Sequence, residues 1–102
     1  MELVWSTDRT SLIVRLSGEI DASNISELEN AVYNGTESVT DLVFDLENLE
    51  YISSSGLRVF LTMQKRMKKQ QGKMIIKNPN DEIMYLFRVT GYMKLLSIEK
   101  KY

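Results

Sequence analysis

The apolar positions of the chain fall into short runs whose spacing changes several times. Leu3, Val4 and Trp5, then Leu12, Ile13, Val14 and Leu16, lie on either side of the polar stretch Thr7-Asp8-Arg9-Thr10-Ser11, which predicts an amino-terminal hairpin. Gly18-Glu19-Ile20-Asp21 breaks the second run, and Ala22, Ile25, Leu28 and Val32 then recur at helical spacing up to Asn34-Gly35. Asp21 reads as the N-cap of that helix and Asn34-Gly35 as its end. Asp41-Leu42-Val43-Phe44-Asp45-Leu46 predicts a strand with apolar residues at its centre, leading through Glu47, Asn48, Leu49, Glu50, Tyr51 and Ile52 to three serines and Gly56. Leu57, Phe60, Met63 and Met67 mark a second helical stripe. It ends in Lys65, Arg66, Lys68 and Lys69, charges that suit the negative end of a helix dipole.

Gly72 is read as the stop of that helix and Lys73-Met74-Ile75-Ile76-Lys77 as a short β-branched strand. Asn78-Pro79 has the composition of a helix start, with Asp81 and Glu82 in the first turn, Ile83, Leu86 and Phe87 on one face and Gly91 at the end. Leu95 to Ile98 is a weaker strand candidate. From Asp41 onward strand and helix alternate, which predicts parallel strands joined by right-handed crossovers. The fold class expected is α/β, a mixed β-sheet in which the amino-terminal antiparallel hairpin is followed by a parallel β-α-β-α-β unit with helices packed against it.

Composition narrows the function. A chain of 102 residues has the length of a single domain, residues 1–102, with no internal repeat. It contains no Cys and no His. That excludes disulfides, thiol nucleophiles, histidine-bound metals and a Ser-His-Asp triad, so no catalytic residue, metal site or cofactor is assigned. No apolar run approaches the ~18 residues of a membrane span and Met1-Glu2-Leu3 lacks a basic leader, so the expected location is cytoplasmic with no membrane span.

The net charge of −1 hides an asymmetry. Up to Leu57 there are two basic and eleven acidic residues, whereas from Arg58 onward there are eleven basic and three acidic. The plain reading is solvated helix faces; the sharper one is an electrostatically split surface that orients a partner. The basic run from Lys65 to Lys69 has no interleaved aromatics, and helix-end charge explains it without direct nucleic-acid binding. The stripe of Met and Phe is read as core, Trp5 as packing near the hairpin, Met84 and Met93 as candidates for an adaptable contact surface, and Asp45 as the end of its strand.

The junction Tyr51-Ile52-Ser53-Ser54-Ser55-Gly56-Leu57 carries the most chemistry. Loops at the carboxyl ends of α/β strands collect functional groups, and the free N–H groups of a helix start favour an anion. A serine there can cap the helix, or carry a phosphate that the helix terminus tolerates. Gly56 permits a tight turn or a close approach.

These residues resemble the STAS domain family, and within it the stand-alone bacterial anti-sigma factor antagonists. The resemblance rests on Gly18-Glu19-Ile20-Asp21, on Leu42-Val43-Phe44-Asp45-Leu46, on Ile52-Ser53-Ser54-Ser55-Gly56-Leu57 and on Thr90-Gly91, and it covers nearly the whole chain. It implies that Ser55, the hydroxyl residue before Gly56, is phosphorylated by a serine kinase that is also an anti-sigma factor. It also implies that Asp21, Ser53, Ser54, Gly56 and Arg58 meet that partner. ATP and Mg²⁺ would belong to the kinase, and a serine phosphatase would reset the switch.

Two departures stand out. The family's loop reads Asp-Ser-Ser-Gly or Asp-Ser-Thr-Gly, and the Asp falls on Ser53. Members also commonly continue into a further helix where this sequence ends at Glu99-Lys100-Lys101-Tyr102, so an apolar patch is expected to lie open there or to be covered by a partner or a second copy in a homodimer. The alternative function is a STAS interaction subunit of a membrane transporter or signalling scaffold, never phosphorylated, which the missing Asp favours. An enzyme with a Ser55 nucleophile lacks a matched base at readable spacing.

Overall fold

A computed structural model of the chain describes residues 1–100; Lys101 and Tyr102, part of the expected carboxyl-terminal run, lie outside the described residues. The elements in order are β1 (Glu2–Asp8), β2 (Ser11–Ile20), α1 (Ile25–Gly35), β3 (Asp41–Ile52), α2 (Ser54–Lys69), β4 (Lys73–Lys77), α3 (Asp81–Val89), a 3-10 turn (Tyr92–Lys94) and β5 (Ile98–Glu99). They form a five-stranded sheet in the order β1-β2-β3-β4-β5. The β1–β2 pair is antiparallel and the pairs β2–β3, β3–β4 and β4–β5 are parallel. This is the mixed α/β architecture expected from the alternation of elements.

The sheet is covered on one face. Leu12 and Val14 stand in register with Leu42 and Phe44, and these with Met74 and Ile76, all of them buried. The helices close over this row with Leu28 and Val32 from α1, Leu57, Phe60, Met63 and Met67 from α2, and Ile83 and Phe87 from α3. Phe60 is the middle of an aromatic chain: its ring lies edge-on to Phe44 at 5.0 Å and tilted to Phe87 at 6.0 Å, so one side chain joins sheet, α2 and α3. On the other face an alternating ladder, Arg15, Asp45, Lys77 and Glu99, crosses four strands in register, an arrangement that favours this pairing over a slipped one.

β3 runs further than the sequence pattern predicts, through Ile52 rather than Leu46. Its buried residues are spaced by two at Leu42, Phe44 and Leu46, then by three at Leu49 and Ile52. The register against β2 slips by one residue at two places. Each slip inserts an unpaired residue into β3 and resets the inward face, which erases the alternation that a strand normally shows. β2 likewise continues through Gly18 to Ile20, where an interruption was expected.

Four further corrections concern ends and single residues. Asp21 is not the N-cap of α1, which begins at Ile25 after a turn and has Asn24 at the cap position with no side-chain capping bond. The helix after β3 ends with Gln71 in the left-handed region; Gly72 is there because a Cβ would sit 2.5 Å from the Thr40 carbonyl oxygen. Leu95, expected in the last strand, is 55% exposed and precedes a two-residue β5. Met84 is buried, since it lies beside Ile83 and Phe87 on the inward face of α3, and only Met93 of the two methionines is open.

Beyond Asp45, β4 no longer accompanies β3, and Asn80 fills the gap. Its Oδ1 accepts the Ile83 N–H at 2.8 Å as the N-cap of α3, and its Nδ2 donates to the Leu49 and Glu50 carbonyls at 3.2 and 3.3 Å. Asn80→Ala is expected to lower stability by about 1–2 kcal/mol, read by urea unfolding, through loss of a cap and of two backbone ties. Loss of no more than a few tenths would mean that water replaces both roles.

Candidate functional site

Parallel strands with their carboxyl ends together bring the loops after β2, β3 and β4 to one end of the sheet. The ladder between β2 and β3 closes with the Ser53 N–H donating to the Ile20 carbonyl at 2.9 Å, which places the serine run directly against the loop that carries Asp21. At this position β3 turns into α2. Ser53 is extended (φ −74°, ψ 162°) and caps α2, its Oγ accepting the Gly56 N–H at 3.1 Å. The turn needs glycine at 56, because a Cβ would meet Ile52 Cγ1 at 2.7 Å and Ile20 Cγ2 at 3.1 Å. Packing of the two strand ends therefore dictates the loop's shape.

The three hydroxyls differ. Ser53 is half-buried, whereas Ser54 and Ser55 are exposed. Ser55 Oγ lies 3.0 Å from Ser53 Oγ, with either as donor. Ser54 Oγ has no hydrogen-bond partner among the described residues. Arg58 is exposed one turn further along α2, four residues from Ser54 and three from Ser55, spacings that share a helix face. The structure thus brings together Ser53, Ser54, Ser55, Gly56 and Arg58, with Asp21 on the adjoining loop.

Asp21 is occupied in shaping its own loop. Its Oδ1 accepts the Ser23 hydroxyl and, at 2.9 Å, the Ser23 N–H; these bonds hold its carboxyl below the usual carboxylate range. The same loop is fixed by Asn24, whose Oδ1 accepts the Asp21 N–H at 3.0 Å and whose Nδ2 donates to the Glu19 carbonyl at 2.8 Å. Asp45, read as ending its strand near the site, lies instead within β3 on the open face, 3.7 Å from Arg15 and accepting from Asn78 Nδ2 at 3.3 Å. On α3, Asp81 accepts a bond from Lys100 Nζ, which lowers its pKa.

Sequence reading missed Asn24 and Asn80, and it gave Tyr51 no role of its own within the junction. The two asparagines stand where a strand gives way to a helix, a position at which their side chains bond backbone, and that signal was present. Tyr51, 41% exposed and paired with Glu19 across the strands, precedes the serine run by two residues at the end of β3. A cleft of about 230 Å³ elsewhere, lined by Val32, Tyr33, Val59 and Met63 among others, takes nothing from the run. At the opposite end of α2 the basic residues gather, with Arg66 stacked over Tyr33 at 3.9 Å. Exposed apolar side chains, Tyr85, Val89, Met93 and Leu95, stand on α3 and the residues after it.

The described residues contain no group of three or more Cys, His, Asp or Glu placed to hold a metal, and no helix long and apolar enough to cross a membrane. What the site offers is a capped helix start with exposed hydroxyls and a guanidinium, and an exposed aromatic ring at the end of the preceding strand, groups that another protein can read.

Comparison with known proteins identifies the family and the fold. The STAS domain model matches residues 4–102. An anti-sigma-B factor antagonist of Bacillus subtilis is 32% identical over 88 residues, covering 86% of this chain and 81% of that protein. One from Staphylococcus aureus is 30% identical over 88 residues, covering 85% and 82%. The fold matches that of the anti-sigma factor antagonist SpoIIAA in its unphosphorylated form, with a TM-score of 0.83 at 19% identity over 98% of this chain and 90% of that one. The phosphorylated form of SpoIIAA from Bacillus superposes with a TM-score of 0.72 at 21% identity, over 98% and 93%.

Proposed function

The chain belongs to the STAS domain family, and from that premise we propose that it is an anti-sigma factor antagonist whose docking face is switched by phosphorylation of the serine run. Unmodified, the start of α2 and the loop of Asp21 dock on a serine kinase that doubles as an anti-sigma factor, and the sigma factor is released. Ser53, Ser54, Gly56 and Arg58 lie in the contact. In the modification step Ser55 Oγ bonds to the γ-phosphorus of ATP held by the kinase. The bond to the bridging oxygen breaks, ADP leaves, and the Ser55 proton passes to a base of the kinase. The product adds close to two negative charges and three acceptor oxygens to the contact, and docking fails. A phosphatase hydrolyses the ester and resets the switch. The domain itself catalyses nothing.

The observation that carries this reading is the exposed hydroxyl run on a capped helix start, where an added anion leaves the helix standing. A second acceptor, Ser54, is favoured by a separate observation: its hydroxyl is exposed and unpartnered, whereas that of Ser55 is engaged with Ser53. One experiment decides. The purified protein is incubated with its kinase partner and ATP-Mg²⁺, and wild type, Ser54→Ala and Ser55→Ala are compared by intact mass and site mapping. One phosphate on wild type that disappears in Ser55→Ala supports Ser55; disappearance only in Ser54→Ala moves the acceptor to Ser54. A stable complex with no phosphate on any of the three overturns the switch and leaves an interaction subunit of a transporter or scaffold.

A further inference from the structure

The two edges of the sheet are protected unequally. β5 is two residues long, and so short an edge offers little to pair with. β1, at the other edge, is seven residues long and among the described residues pairs with β2 alone, in an unbroken register from Glu2↔Ser17 to Asp8↔Ser11. Edge strands are ordinarily blunted by a bulge, a Pro or a Lys; β1 has none of them, and its charges are confined to its ends, Glu2 and Asp8. Its apolar residues are uncovered as well, with Val4 47% and Trp5 38% exposed.

The hairpin dictates which backbone groups are open. Asp8 and Ser11 close a two-residue turn, and such a closing pair exchanges both of its hydrogen bonds. By alternation Glu2, Val4 and Ser6 also bond to β2, so Leu3, Trp5 and Thr7 turn their N–H and C=O groups to the open side. An antiparallel copy of β1 meets these groups in three symmetric registers that engage most of the strand. Centred on Trp5, the pair sets Glu2 opposite the partner's Asp8 at both ends, and like charges directly opposed are destabilising. Centred on Ser6, it sets the Asp8 carboxylate against the partner's Val4. Centred on Val4, it sets Leu3 opposite the partner's Trp5, Val4 opposite its own counterpart and Glu2 opposite the partner's Ser6, with no charge facing a charge or an apolar side chain.

We propose that β1 is a self-pairing surface: two copies of the chain join edge to edge through antiparallel β1 strands centred on Val4, and one sheet runs through both. The two-fold axis stands perpendicular to the sheet, so the contact uses up both long edges and closes at two copies. The strands of the second copy run opposite to those of the first. The serine runs, at the carboxyl ends of β2 and β3, therefore lie at opposite ends of the dimer, and pairing leaves each of them free to dock. The contact is small, so a dissociation constant of about 10–100 μM is expected.

Sedimentation equilibrium of the purified chain is expected to show monomer and dimer exchanging with a constant in that range. Val4→Lys, which places two cations face to face at the axis, is expected to weaken the dimer by about tenfold or more, with the circular dichroism of the monomer unchanged because residue 4 is exposed. A chain that is monomeric at about 500 μM overturns the proposal, and so does a dimer that Val4→Lys leaves intact. The register is read separately and without that variant. The chain has no Cys, so a single introduced thiol can bridge only two copies. Val4 and its counterpart form a non-hydrogen-bonded pair with Cα atoms about 4.5 Å apart, within reach of a disulfide. Ser6, also exposed and on the same face, lies about 14 Å from its counterpart in this register. Under mild oxidation Val4→Cys is expected to cross-link about tenfold faster than Ser6→Cys, and a Ser6→Cys rate equal to or above that of Val4→Cys overturns the proposal.

Discussion

Ser55→Asp is expected to weaken binding to the kinase partner by about a hundredfold, close to 3 kcal/mol, while leaving the protein folded. Two effects separate cleanly at this residue. Inside the chain, a negative charge in the first turn of α2 meets the positive end of the helix dipole and free N–H groups, and the side chain is exposed, so the fold accepts it. At a docked surface the same charge is desolvated against a partner shaped for a neutral hydroxyl, and juxtaposed like charge or an unpaired anion costs several kcal/mol. Ser55→Ala, which adds no charge, is expected to keep most of the affinity. Calorimetric titration of wild type and both variants checks this, and equal affinity for wild type and Ser55→Asp would rule out a charge switch at 55. Phosphate carries more charge than Asp, so its effect is expected to be larger.

The largest effect on stability is expected at Phe60. Phe60→Ala removes the ring that joins Phe44 of β3 to Phe87 of α3 and leaves a void at a site with no solvent exposure. Such truncations cost about 3–5 kcal/mol, which is a large share of the roughly 5–15 kcal/mol that holds a domain of this size together. Guanidinium unfolding is expected to show a midpoint displaced by that amount, or a chain already partly unfolded in buffer. A loss under about 1 kcal/mol would mean that α2 and α3 collapse onto the sheet and that the aromatic chain is not central. The same substitution tests the site indirectly, because the start of α2 is held in place by what its later turns bury.

The parts legible in the sequence were those with an uninterrupted period. β4 matches its expected span, the inward face of α2 is the stripe of Leu57, Phe60, Met63 and Met67, and the alternation of strand and helix from Asp41 onward implies the parallel pairing of β3, β4 and β5. β3 was shortened because two bulges break its alternation at the point where it approaches the site. Local irregularity of this sort has no compositional mark. Asp21 was placed on the wrong side of a turn, since Asp before a helical pattern serves equally as an N-cap or as the head of a preceding turn. The serine run is plain in the sequence, but the difference between its hydroxyls is not, because bonding of Ser55 to Ser53 and freedom of Ser54 depend on rotamers and on the close packing of Gly56 against Ile20 and Ile52.

The side-chain amide of Asn80 also has a bearing on how the protein behaves in a crowded solution. Past Asp45 the side of β3 facing away from β2 has no strand beside it, and carbonyls left open along a strand invite an extended segment of another molecule to add itself there. By taking the Leu49 and Glu50 carbonyls, Asn80 occupies that stretch with a group that cannot propagate a ladder. The end of the sheet proposed as the docking face is thereby kept from recruiting its own kind, so an open surface there does not become a template for aggregation.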